Sequence, residues 1–430
     1  MKGIAPTLGW VAVGLLLLVS FGLDIGNVTQ GGGIDLRNRI TGVRLLADGF
    51  DAYHYKWGRS QPEKYADPYN NPLLPVSKTT ATPALLLLHE PLALLPYRLA
   101  EFLWLPFQWL LLLGTLGLWL RRCTESRQRL LLAAIVTAFT YTAAWRLHAE
   151  RGQSYVLLLF VFAWWLAATL DPKTAQRFTT GLLAGLLVAL RPPFLILAPF
   201  LLLHRRGQLP GAVVGLLLGI GLPLLLNSAS WTNYATAMGD HSYLYRMGED
   251  PHPPPQHFPP TIEGIPTDIL GNFVLIPYAD FSVHAGLRAL GLEPFPELPP
   301  LLAVGALFLA WLWFSRGLPT ETLLLGLAAW FFVIDLFLPA YRNTYNDVLI
   351  LAVLALATAA GRLFSWAGQA CLLALPIGWL IYVFAPMKNE LINLPTFFFT
   401  IGAVLFLLDQ VAAMRRRPAA APARTGRSRR

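Results

Sequence analysis

The side chains able to do acid–base or anion chemistry gather in a few polar stretches of an otherwise apolar chain. The richest stretch reads GGGIDLRNRITGVRLLADGFDAYHYKWGRSQPEKYADPYNNPLLP, and Asp35 and Asp51 are its best candidates. Either carboxylate could take a proton from a substrate hydroxyl within hydrogen-bond reach. Each also has a plainer reading. Asp35 heads an amphipathic stretch to Ala47, with Leu36, Ile40, Val43, Leu45 and Leu46 on its apolar face, and Asp is a favoured helix N-cap. Asp51 closes Asp48-Gly49-Phe50-Asp51, where Asp serves turn formation.

Cations with a polar neighbour lie at Arg146, His148, Glu150, Arg151 and Gln153, at Arg191 before Pro192-Pro193, and at Arg342 in PAYRNTYND. Arginine presents a planar fork suited to phosphate. Against this stand a snorkelling arginine for Arg191, a solvated loop for Arg342 and interface residues for His148 and Glu150. Gln153 could bind a ligand or join helices. Tyr53, Tyr55, Trp57, Tyr65, Tyr69, Trp231, Tyr234 and Tyr243 offer stacking faces, although Trp and Tyr line any membrane interface. No Asp-x-Asp, HExxH or cysteine cluster points to a metal, and the cysteines, Cys123 and Cys371, have no metal-site spacing.

The elements that must position these residues are membrane helices. The chain has 430 residues, 55% hydrophobic and 13% charged, with mean hydropathy +0.51. Soluble domains carry about 25% charged residues. Apolar runs are expected at about 8–23, 101–120, 129–146, 154–170, 178–190, 194–204, 210–227, 300–315, 320–338, 346–361, 368–385 and 397–413. That makes about twelve crossings, the first an uncleaved span because no small-x-small site closes it. The run through Arg191-Pro192-Pro193 should break. The fold class is therefore an all-α integral membrane bundle over 1–413, followed by a basic tail over 414–430.

With the N-terminus cytoplasmic, Lys2, Arg121, Arg122, Arg127, Arg129, Lys173, Arg177, Arg205, Arg206, Arg316, Arg362 and the tail from Arg415 all fall inside. This is the positive-inside pattern, so the net charge of +9 is a topology signal and nucleic-acid binding is excluded as its cause. The outside receives two long segments, about 24–97 and 227–299. The stretch Thr82–Pro96 is too short to span and reads as an interfacial or re-entrant helix. No internal repeat suggests an inverted-repeat transporter.

Several motifs then occur in order. Asp35-Leu36 precedes an expected helix and Leu45-Leu46-Ala47-Asp48-Gly49-Phe50-Asp51-Ala52-Tyr53. Asn71-Pro72 opens a proline-bounded apolar segment ending at Pro96. Arg151-Gly152-Gln153-Ser154 precedes leucines, and Gly181–Leu203 precedes His204-Arg205-Arg206. This series resembles glycosyltransferase family 87, membrane enzymes of the GT-C fold that use polyprenyl-phosphate sugars, typically mannose. Ser154 stands where that family often has Asn, and Arg191 where it has Lys.

The resemblance implies an inverting transfer on the extracytoplasmic face of a bacterial inner membrane, from a polyprenyl-phosphate sugar to a lipid or glycan acceptor, without a metal or other cofactor. It maps the general base onto Asp35 and leaves Asp51, Tyr53 and Gln153 for support or sugar binding. Arg191, Arg342, Arg146 and His148 become the candidate ligands of the donor phosphate. Two other classes stay open: a transporter or flippase of lipid-linked substrates, and an enzyme of the O-antigen polymerase or ligase type. The first should place ionisable groups at the bilayer midplane. The second would depend on the late outer loop, which carries His241, Arg246, His252 and His257.

Overall fold

The computed structural model describes residues 4–29, 33–54, 62–65, 79–247, 282–293, 295–338, 344–363, 365–384 and 394–416. Among them every regular element is helical, and no strand occurs. The elements that frame the site are α1 (Ile4–Thr29), α2 (Ile34–Ala47), α3 (Pro83–Leu87), α4 (Glu90–Ala93), α5 (Tyr97–Leu120), α6 (Ser126–Phe139), α7 (Ala143–Arg151), α8 (Tyr155–Leu170), α9 (Phe178–Leu190), α10 (Leu197–His204), α11 (Leu209–Leu226) and α12 (Ser230–Met247). Helices Leu298–Phe314, Thr320–Phe337, Ile350–Ala359, Trp366–Leu372, Ala374–Phe384 and Leu394–Arg415 complete the bundle.

Helical apolar segments occupy all twelve of the expected positions, but they are not twelve equal crossings. Six are long and apolar enough to cross a bilayer: Thr7–Thr29, Tyr97–Leu120, Arg206–Leu226, Thr320–Phe337, Trp366–Phe384 and Leu394–Arg415. The pair Ser126–Phe139 and Ala143–Arg151 would add a seventh, bent by 62°. Tyr155–Leu170, Phe178–Leu190, Pro192–His204, Leu298–Phe314 and Thr344–Ala359 are shorter, at 10–17 residues. The first helix also runs further than its apolar run, so Asp24 lies inside α1 and not at the start of the outer segment.

The break at Arg191 follows from sterics. A residue before proline is pushed out of the α region, and Arg191 is extended at φ −150°, ψ 102° before a 3-10 turn over Pro192–Ile196. The Thr82–Pro96 stretch is two short helices, not one. Thr82 caps α3 by accepting from the Leu85 amide at 3.2 Å and donates to the Leu190 carbonyl at the end of α9 at 3.1 Å. Pro83, Ala84, Leu85 and Leu86 of α3 are buried, whereas no residue of α4 is.

Close packing of α9 on α11 depends on missing side chains. A Cβ on Gly181, Gly185 or Gly211 would overlap the carbonyl oxygens of Gln208, Ala212 and Phe178, respectively. In a bilayer, where burial against lipid tails gives little drive, such backbone approach is what holds helices together. Around this pair, Trp165, Phe162, Phe194, Phe200 and Leu187 form part of one continuous buried core.

Candidate active site

The site is built where α2 meets the turn between α7 and α8. Gly152 makes that turn, ending α7 in the left-handed region at φ 66°. A Cβ there would also stand 2.6 Å from the Leu36 Cβ of α2, so glycine lets the two elements touch. Gly33, at φ 81°, donates its N–H to the Glu150 carbonyl at 2.5 Å and accepts from the Tyr97 hydroxyl at 2.8 Å. These contacts fix the start of α2, and with it Asp35.

Asp35 does not cap its helix. It is the second residue of α2, whose N-cap is Gly33 without a side-chain hydrogen bond. Its Oδ2 instead accepts from Gln153 Nε2 at 2.5 Å and lies 3.6 Å from Arg151 Nε. Its Oδ1 accepts no hydrogen bond among the described residues. The side chain is 22% exposed, and that of Arg151 31%, so the pair is open to a ligand. Gln153 is buried, and Arg39 Nη2 donates to its Oε1 at 2.5 Å.

An aromatic path leads from this carboxylate to Arg191. Arg151 lies 6.0 Å from the Tyr345 ring centroid, Tyr345 lies 5.8 Å from Tyr155, and the Arg191 guanidinium stands 4.8 Å over the Tyr155 ring. Arg191 Nη2 is 3.5 Å from Asp335 Oδ2, both side chains little exposed. The pairing replaces the snorkelling expected of an arginine at a span end: Arg191 points inward. Desolvated guanidinium on an aromatic face is a strong form of cation–π contact.

Other sequence candidates are placed elsewhere. Arg146, expected among the phosphate ligands, is buried and pairs with Asp24 of α1, which also accepts from Trp109 Nε1 at 2.9 Å and Trp145 Nε1 at 2.8 Å. With its charge met by a buried carboxylate, it locks α7 to α1. His148 is likewise buried: its Nε2 accepts from the Val156 amide at 3.1 Å and its ring stacks on Trp145 at 5.5 Å. Arg146 turns to α1 and His148 to the start of α8, rather than to Asp35. Arg342 lies outside the described residues, as do Tyr55, Trp57 and Tyr69.

Asp51 performs the turn chemistry open to it. Oδ1 accepts from the Tyr53 amide at 2.8 Å, and Oδ2 lies 2.7 Å from His54 Nδ1. His54 Nε2 in turn is 3.7 Å from Asp240 of α12. Tyr53 is fully buried, donates to the Ala81 carbonyl at 3.0 Å and packs edge-on against Tyr234 at 5.6 Å; burial pushes its phenol up. Both residues therefore tie the outer segment to α12.

Nearby, Asp48 is held below the usual carboxylate range first by its hydrogen bond to Lys64, at 2.7 Å, and then by Tyr65. His89, from α3–α4, is buried against Trp104. Its Nδ1 contacts the Leu85 carbonyl at 2.8 Å and its Nε2 the Ser154 hydroxyl at 3.0 Å. Desolvation pushes it down to about 3, with Arg39 adding repulsion, so the ring is neutral.

Sequence reasoning missed Arg39, Tyr155, Tyr345 and Asp335. Asp35 and Arg39 are four apart, the spacing of neighbours on one helix face, and that was a usable signal. Neither tyrosine stands out in the sequence: Tyr345 lies in the polar stretch PAYRNTYND and Tyr155 at the start of an apolar run. Among the described residues no group of three or more His, Cys, Asp or Glu is arranged to hold a metal ion.

The arrangement is a partly exposed carboxylate beside an arginine at one end of a helical membrane bundle. The sequence profile of glycosyltransferase family 87 matches residues 80–339. The matched segment contains Gln153, Arg151, Tyr155, Arg191 and Asp335, and begins after Asp35 and Asp51. No curated protein and no solved structure gives a significant match. With the family profile covering more than half of the 430 residues, the chain belongs to glycosyltransferase family 87.

Proposed function

We propose that the protein transfers a sugar, mannose as the first choice, from a polyprenyl-phosphate donor to a lipid or glycan hydroxyl on the extracytoplasmic face of a bacterial plasma membrane. The observation that carries this reading is Asp35. One of its oxygens is engaged by Gln153 and Arg151, and the other accepts nothing among the described residues. That is the state of a base waiting for an acceptor O–H.

In the reaction, Asp35 Oδ1 takes the proton of the acceptor hydroxyl as that oxygen attacks the anomeric carbon. The bond from the anomeric carbon to the donor phosphate breaks, its electron pair leaves on polyprenyl phosphate, and configuration inverts. The leaving phosphate gains charge, which a cation stabilises best if it is already in place. Among the described residues Arg151 is the cation beside the base, and Arg191 the more buried one at the far side of the tyrosine pair. A monophosphate leaving group can be met by arginine alone, so no metal is assigned a role. The positive-inside pattern supports cytoplasmic termini and an outer site.

The test is a donor panel. Purified full-length protein in detergent or nanodiscs is given radiolabelled polyprenyl-phosphate mannose, glucose or arabinose with a membrane lipid extract as acceptor. Label is expected to move from one donor into a new lipid or glycan product. Nucleotide sugars supporting transfer while every polyprenyl phosphate fails would contradict the donor class. No transfer from any of them would contradict the reading itself.

A further inference from the structure

The Gln153 amide could sit in either of two orientations of the same shape, with opposite consequences for Asp35. With Nε2 toward the carboxylate it donates; with Oε1 there, two acceptors would face each other. Which way an amide points must come from its partners. Here the other partner is Arg39, whose guanidinium can only donate. Its Nη2 is 2.5 Å from Gln153 Oε1 and its Nη1 is 3.2 Å from the Gly152 carbonyl. The carbonyl end of the amide is thereby assigned to Arg39, and the N–H end to Asp35, at 2.5 Å.

We infer that Arg39 is a positioning residue of the transferase: by holding the Gln153 carbonyl and the Gly152 carbonyl together, it keeps the Gln153 N–H on Asp35 Oδ2 and leaves Oδ1 turned to the acceptor. The inference rests on Asp35 being the base. Several features converge on it. Gln153 is buried at 2% exposure, so water competes little for its amide. The Gly152 carbonyl is also held by Trp104 Nε1 at 3.1 Å, which makes it a fixed anchor. Asp35 and Arg39 share one face of α2 and grip the same glutamine from the two ends of its amide. Lysine is a poor replacement for Arg39, because a single ammonium nitrogen lacks the fork whose two nitrogens reach the two carbonyls.

A double-mutant cycle tests this in the full-length protein. Arg39→Met, Gln153→Met and the double variant are compared for kcat, donor KM and thermal unfolding midpoint. If Arg39 acts through Gln153, each single variant loses roughly tenfold to a hundredfold in kcat with donor KM within about twofold. The double variant then falls no more than about twofold below Gln153→Met, and Arg39→Lys does not restore kcat. A double variant whose loss is the product of the two single losses overturns the inference, as does an Arg39→Met enzyme with wild-type kcat. Should wild-type protein transfer no sugar from any donor, the functional reading fails. The midpoints still decide the relay: non-additive shifts keep it, and additive shifts overturn it.

Discussion

Replacing Arg146 and replacing Arg151 should have opposite signatures, although the two lie five residues apart. Arg146→Leu leaves the Asp24 carboxylate buried without its counter-charge. Breaking a buried pair on one side costs about 3–5 kcal/mol, so the unfolding midpoint should fall sharply. Arg151→Leu removes a partly exposed cation beside Asp35. Its midpoint should shift by less than about 1 kcal/mol in stability, while kcat falls roughly a hundredfold or more. Calorimetry in detergent with the transfer assay separates the two. The sequence offered both arginines as phosphate ligands because nothing local distinguishes them. The partner that removes Arg146 from that role is 122 residues away in α1. Asp35 was more legible: its position after the first span and before an amphipathic helix marked it, and the structure replaces the cap with contacts to Gln153 and Arg151. For Asp51 the plainer turn reading is the one the hydrogen bonds support.

At the scale of elements, the meeting of α2 with the α7–α8 turn is the feature most open to test. Gly152→Ala puts a Cβ 2.6 Å from that of Leu36 and an L side chain at φ 66°. The left-handed conformation alone costs about 1–2 kcal/mol, and the clash must displace α2. The expected result is a lower unfolding midpoint together with a kcat loss exceeding tenfold, from a substitution that touches no substrate. The short helices α3 and α4 carry a pH response through His89. Its folded value, about 3, lies below the ordinary 6.5, so the unfolded chain takes up the proton first. The stability it contributes is complete above pH 6.5 and is lost as pH falls toward 3, by up to about 1.4 kcal/mol per unit. Unfolding midpoints between pH 7 and 4 should drop more steeply for wild type than for His89→Gln; equal slopes would assign the acid sensitivity elsewhere. Breaks were the elements best read from sequence, as Arg191-Pro192-Pro193 shows. The split between α3 and α4 was not read, although Pro91 in the first turn of α4 marks it.

The whole molecule is a helical membrane protein of glycosyltransferase family 87, and its apolar segments stand where hydropathy placed them. Their expected lengths already differ, and several are short. Among the described residues only six are long and apolar enough alone; one pair is bent and five helices are shorter. The tyrosine path joining Arg151 to Arg191 was illegible because it joins α7, α8, α9 and the turn at Tyr345, which meet only after the bundle closes. If Asp35 is the base, turnover must collapse when its carboxylate is removed. The most direct measurement is kcat for transfer from the preferred polyprenyl-phosphate sugar, wild type beside Asp35→Asn, with matched unfolding midpoints. A base of this kind contributes about 10²- to 10⁴-fold, and a kcat loss in that range in a folded variant is the expected result. An Asp35→Asn enzyme turning over within a few fold of wild type would contradict it and move the base to another carboxylate.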